Sequence, residues 1–171
     1  MRKDTDLQIL IIEFRIQNLN YVSCYKKKML LNVSHNDPEI RQKINNEVGK
    51  SFSLRERIRM GGIGSPKLHI TECSIQIHNL LILDNRINTC NIELRPKGII
   101  VGFGVKLETY ALVIPYYKLA LYKGKAEEYS IYRDTYYVKV KAGSKDRPIH
   151  KFMQKVLASK ADQAHNSFEN L

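Results

Sequence analysis

Ile92-Glu93-Leu94-Arg95-Pro96-Lys97-Gly98-Ile99-Ile100-Val101 decides the fold. Two apolar runs flank Arg95-Pro96-Lys97-Gly98, where proline fixes φ and glycine relieves the backbone, so the four residues form a tight turn. Before the turn Cys90, Ile92 and Leu94 alternate with polar residues, and after it the run extends from Ile99 to Phe103. Alternation on both sides of a tight turn predicts an antiparallel hairpin.

The same period of two continues outward from this hairpin. C-terminal to it are Tyr110, Leu112 and Ile114, then Leu119 and Leu121, Tyr129 and Ile131, and Tyr136, Val138 and Val140. Gly104, Pro115, Gly124 and Asp134 punctuate these runs. N-terminal to it, Cys73, Ile75 and Ile77 alternate with Ser74 and Gln76, Leu80 to Leu83 form a short apolar run, and Asp84-Asn85-Arg86 reads as a turn. Short strands at this spacing, with no helix between them, predict an antiparallel sheet or small barrel. The chain then changes period. Pro148 opens a helix whose apolar stripe is Ile149, Phe152, Met153, Val156 and Leu157, with Lys151, Lys155 and Lys160 off it. The pattern lapses at Asp162, so 162–171 is expected to be a frayed tail.

The first 66 residues read differently. Residues 7–16 suit a strand, and Tyr21 to Leu31 a second one. Asp37 is an N-cap, Pro38 occupies the first helical position, Ile40, Ile44 and Val48 recur every four residues, and Gly49 is the left-handed stop. Ser53 and Glu56 form a capping box ahead of Leu54, Ile58 and Met60, and Gly61, Gly62, Gly64 and Ser65-Pro66 make a loop. The expected organisation is α+β. A strand and short-helix region over 1–66 precedes a bent sheet closed by a helix over 67–161.

The hairpin, the segment Leu112-Val113-Ile114-Pro115-Tyr116-Tyr117-Lys118-Leu119 and the closing helix together resemble bacterial PH-like domains, over about residues 90–161. In that family a similar Ile-Pro-Tyr segment ends one strand and begins the next, and an amphipathic helix plugs one end of a bent barrel. The resemblance also implies that inter-strand loops gather around one barrel mouth. Arg95 and Lys97 flank Pro96 in one turn and Lys123 and Lys125 flank Gly124 in another, so these four are the candidate anion-binding residues; the alternative is that the two turns sit at opposite ends and only keep the protein soluble.

Composition narrows function less than fold. The 171 residues carry a formal net charge of +11, which favours phosphate-rich or acidic partners, yet the excess is spread over the whole chain and Lys26-Lys27-Lys28 is its one basic run. Absence of an apolar run of about 18 residues and of a leader pattern predicts a cytoplasmic protein. Cys24, Cys73 and Cys90 are too few and too scattered for a disulfide framework. His69, Cys73, His78 and Cys90 lack metal-site spacing; on a regular strand His69 and Cys73 share a face. Gly62-Ile63-Gly64 and Gly102-Phe103-Gly104 read as turn or bulge positions rather than phosphate loops. Gly102-Phe103-Gly104-Val105 is also too incomplete for an RNA-recognition segment, and ten tyrosines read as strand residues before they read as base-stacking platforms. No nucleophile, metalloprotease or Walker pattern is present. The expectation is a non-enzymatic binding or scaffold domain, without cofactor, that recognises a protein partner, itself, or an anionic surface. An electrostatic nucleic-acid binder and a peripheral membrane module reading anionic headgroups are the alternatives.

Overall fold

The computed structural model describes residues 29–124 and 127–168. The strand expected over 7–16, Cys24, the lysine run and Lys125 lie outside the described residues. Among the described residues eight strands form one antiparallel sheet: β1 Leu30–Asn32, β2 Leu68–Cys73, β3 Thr89–Arg95, β4 Gly98–Val105, β5 Glu108–Pro115, β6 Ala120–Lys123, β7 Glu128–Arg133 and β8 Tyr136–Lys141. Their spatial order is β1-β5-β4-β3-β2-β8-β7-β6. Four helices accompany them: α1 Pro38–Val48, α2 Leu54–Arg59, α3 Ile75–Leu81 and α4 Arg147–Phe168.

The hairpin sits where the sequence puts it. Arg95 pairs with Gly98 across Pro96-Lys97, and the register runs back to Cys90 and Phe103. Gly98 is required by close packing, because a Cβ there would lie 2.3 Å from the Ile114 carbonyl oxygen and 2.7 Å from Val48 Cγ1. Gly102 and Gly104, expected at a bulge or turn, instead hold regular pairs with Ala111 and Thr109. The real turn is Lys106-Leu107, where Lys106 takes φ +54° without a glycine or asparagine to announce it.

The sheet changes neighbours within β2. Leu68 and His69 pair with β3, whereas Ile70, Glu72 and Cys73 pair with β8, and the register shifts between Ile70 and Glu72. An extra residue at that point bends a strand and resets its parity. His69 is therefore exposed while Ile70 and Cys73 pack against the core, so His69 and Cys73 do not share a face. Residues from β3, β4 and β5 join those of β7, β8 and α4 in one buried cluster that includes Ile92, Val101, Leu112, Ile131, Val138 and Met153. The buried guanidinium of Arg133 on β7 donates to the Val113 carbonyl on β5. The two halves of the open sheet thus face each other across a shared interior.

The largest departure from expectation is α3. Ile75 and Ile77 are not strand residues: Ile77 and Leu81 are buried one helical turn apart, and Ile75, Ile82 and Leu83 are exposed. Short apolar runs satisfy both periods, and here burial of the i, i+4 pair selects the helix. Ser74 precedes α3 with its hydroxyl buried and unpaired, while its N–H donates to the Tyr137 carbonyl.

At the C-terminus, Phe152, Met153 and Val156 are buried, but Leu157 is 45% exposed and not part of the covered stripe. α4 runs on through Phe168, beyond the Asp162 boundary. Lys155 donates its ammonium to the Met60 and Gly62 carbonyls, holding the end of α2 against α4. His150 stands between the Tyr129 hydroxyl at 3.0 Å and the Gly143 carbonyl at 2.9 Å, which ties the first turn of α4 to β7.

Residues 29–66 build on the same sheet. β1 pairs with β5, and α1 lies on the sheet face opposite the main core, where Val48, Met29 and Val113 are buried with Leu31, Ile44 and Ile100 around them. Asp37 caps α1 through the N–H groups of Glu39 and Ile40, and Gly49 leaves it at φ +85°. The Ser53–Glu56 capping box of α2 forms as expected.

Candidate functional site

The connection from β2 to β3 meets the β4–β5 turn through one carboxylate. Asp84 Oδ2 accepts from the Lys106 N–H at 2.6 Å and from Arg86 Nη2 at 2.6 Å, and the same Arg86 nitrogen donates to the Lys106 carbonyl at 2.6 Å. Arg86 Nε adds a bond of 2.9 Å. The Arg86 guanidinium, followed by the Lys106 N–H, holds the Asp84 carboxyl far below the usual carboxylate range, and Asp84 in turn raises Arg86. A fork of this kind fixes two loops that have few other reasons to meet.

This brace holds apolar side chains out in water. Leu107 at the hairpin tip is 99% exposed and Ile87 beside the brace is 77% exposed, and Ile82 and Leu83 at the end of α3 are also open. Basic groups are interspersed: Lys106 and Arg86 belong to the brace, and Lys67 joins Arg86 and Ile87 around a cavity of about 500 Å³. The nearby acids are engaged, Asp84 in the brace and Glu108 with the Tyr110 hydroxyl at 2.5 Å. Exposed leucine or isoleucine is ordinary singly; several around one rigid loop end, with Lys67 and Lys106 beside them, form an amphiphilic surface.

Of the four cations singled out from sequence, Arg95 and Lys97 share the β3–β4 turn and Lys123 stands at the end of β6. Arg95 ends β3, its side chain 15% exposed, and Lys97 is exposed in the turn, its N–H bonded to the Val48 carbonyl and its own carbonyl to the Tyr116 N–H. Lys123 ends β6 with its ammonium 6.0 Å from the centre of the Tyr129 ring. The adjoining Glu127 carbonyl accepts from Ala142, and the Glu127 carboxylate accepts from Ser144. One turn is therefore anchored on α1 and the segment after β5, the other on the loop before α4. Lys125 lies outside the described residues.

Around Arg95 the fold makes something else. A groove of about 760 Å³ runs along α1 on the outer sheet face, lined by Ile40, Ile44, Arg41, Lys50, His35 and Arg95 among others. Arg95 Nε lies 2.8 Å from Glu93 Oε1, close enough for charge attraction, but the carboxylate is off the N–H direction and the N–H has no acceptor. Asp37, the acid in the groove, is committed to capping α1.

Elsewhere the titratable groups serve packing. Burial pushes the Cys90 thiol up to about 12 and raises Cys73, so both stay protonated and are free thiols. Glu72 accepts from Tyr137 at 2.7 Å and Lys139 at 2.5 Å across β2 and β8. Among the described residues no three His, Cys, Asp or Glu are grouped to hold a metal ion, and no helix is long and apolar enough to cross a membrane.

Sequence reasoning read Asp84-Asn85-Arg86 only as a turn, and gave Leu107 no role. An acid two residues before an arginine was the available signal, but its partner Lys106 is twenty residues further on. Comparison of the chain with family models, with curated proteins and with solved structures finds no match.

Proposed function

We propose that this chain is a PH-like, non-enzymatic binding domain that docks on an anionic lipid surface through the braced end formed by the β2–β3 connection and the β4–β5 turn. The observation that carries the reading is Leu107, 99% exposed on a turn fixed by Asp84 and Arg86. A side chain without neighbours on any side suits a bilayer, which receives it at any orientation, better than a protein partner, which needs a matching pocket. Burying Leu107 and Ile87 contributes about 1.5–3 kcal/mol each. Lys67 and Lys106 add about 1 kcal/mol apiece near anionic headgroups, whereas the charge of Arg86 is matched by Asp84.

The PH-like reading draws support from two further features. Ile114-Pro115-Tyr116 ends β5, as the resemblance implies, although Tyr116 opens a short 3-10 turn and the next strand begins at Ala120. The sheet folds around one core that α4 helps to close.

Co-sedimentation with vesicles containing phosphatidylserine, against pure phosphatidylcholine, tests the reading. The wild type is expected to sediment with the anionic vesicles, and Ile87→Ser with Leu107→Ser to lose tenfold or more of that affinity without a change in thermal midpoint. Equal sedimentation of variant and wild type removes the lipid reading and leaves recognition of a protein partner through another surface.

A further inference from the structure

The groove along α1 stands apart from the braced loop end and has a polarity of its own. At one end are Arg95 and Lys50; at the other is the N-cap of α1, where Asp37 accepts from Glu39 and Ile40 and Arg41 donates to Asn36. The eleven residues of α1 separate these ends by roughly 16 Å at about 1.5 Å per residue. Ile44 and Ile40 line the stretch between them. The volume of about 760 Å³ is within the roughly 300–1,000 Å³ typical of small-molecule sites, which are apolar clefts with a few placed polar groups.

The Arg95 guanidinium is largely shielded from water, and its Nε–H is left without an acceptor because the Glu93 carboxylate, 2.8 Å away, lies off the N–H direction. The Val48 carbonyl at the C-terminal end of α1 accepts from the Lys97 N–H, which fixes the turn beside Arg95. Glu93 and Arg95 lie on the strand face opposite Ile92 and Leu94, which are buried in the main core, so the arginine faces the α1 side of the sheet.

We propose that this groove binds a small amphiphilic oxyanion, a carboxylate or phosphate monoester, with its charged head on Arg95 and Lys50 and its apolar body along Ile44 and Ile40. A planar guanidinium matches such a head with paired donors, and an ammonium adds a point charge. The proposal is independent of lipid-surface docking, because no residue of the braced end takes part.

The test is calorimetric titration of the full chain with hexyl phosphate, inorganic phosphate and hexanol. Hexyl phosphate is expected to bind saturably at one site, more tightly than inorganic phosphate, and hexanol not to saturate. Arg95→Gln is expected to weaken hexyl phosphate about tenfold to a hundredfold. Lys50→Glu, at an exposed position that leaves folding intact, is expected to weaken it as well and carries the test if the Arg95 variant misfolds. Leu107→Ser is expected to bind like the wild type. Failure of the wild type to saturate with hexyl phosphate, inorganic phosphate binding as tightly, or undiminished binding by both Arg95→Gln and Lys50→Glu overturns the proposal.

Discussion

At the scale of single residues, the side chains that organise this protein are polar groups whose partners are distant in sequence. Arg133 reaches the Val113 carbonyl twenty residues back, and Asp84 gathers the N–H of Lys106 twenty-two residues ahead. Local reading makes the first an ordinary end-of-strand arginine and the second a turn aspartate, since neither partner leaves a mark at short range. By contrast Asp37, Ser53 and Gly49 are legible, because helix caps act on groups within four residues of themselves. Asp84 gives stability a pH dependence with a definite sign. Its folded carboxyl is held below the unfolded value of about 3.9, so the contribution is whole above that value and is lost as pH falls through the lower, folded one. Asp84→Asn is expected to lower the thermal midpoint at neutral pH, and the gap from the wild type to narrow as acidity increases below about pH 4. Thermal melts of both proteins across that range check this; a gap that stays constant or widens on acidification means the charged form of Asp84 is not what holds the loops.

At the scale of elements, the strands were legible and one helix was not. From Cys90 to Val140 each side chain on the inner face sits on alternate residues, and the β3–β4 register follows from Pro96 and Gly98 alone. Residues 74–83 satisfy a period of two through Cys73, Ile75 and Ile77, and a period near four through Ile77 and Leu81, so packing rather than pattern decides. The bulge at Ile70–Glu72 had no glycine to signal it, and it altered which of His69 and Cys73 faces inward. Within α4 the stripe was right at its centre and one position too wide at its end. Met153 is buried among residues of both sheet halves, and Leu157 is 45% exposed. Met153→Asp is therefore expected to cost about 3 kcal/mol or more, since it places a carboxylate in an apolar interior. Leu157→Ser should cost less than about 1 kcal/mol. Urea unfolding of the two variants separates them, and comparable losses would contradict the boundary of the buried stripe.

At the scale of the whole molecule, a net charge of +11 was the feature most open to functional reading, and also the least specific. Charge counts locate nothing; the fold puts Arg95 and Lys97 in one turn and Lys123 in another, and it brings Lys106 and Lys67 near apolar tips instead. The distinction has a measurable consequence through salt. A protein held to a polyanion by dispersed lysines and arginines releases counterions on binding, and its affinity falls steeply with ionic strength. Contact through Leu107 and Ile87 owes its strength to apolar area, which moderate salt does not screen. Binding to duplex DNA is accordingly expected to be independent of sequence and to drop tenfold or more between about 50 mM and 200 mM salt. Binding to phosphatidylserine vesicles over the same interval should fall by a smaller factor, because only the part supplied by Lys67 and Lys106 is screened. Ile87→Ser with Leu107→Ser sharpens the comparison. With its apolar share removed, the residual vesicle binding should become as salt-sensitive as the DNA binding, whereas the DNA curve itself should not move. Parallel salt titrations of wild type and variant against both ligands decide the matter. Vesicle binding by the wild type that collapses as steeply as DNA binding would mean that dispersed charge, and not the braced apolar tips, is what holds this protein to anionic surfaces.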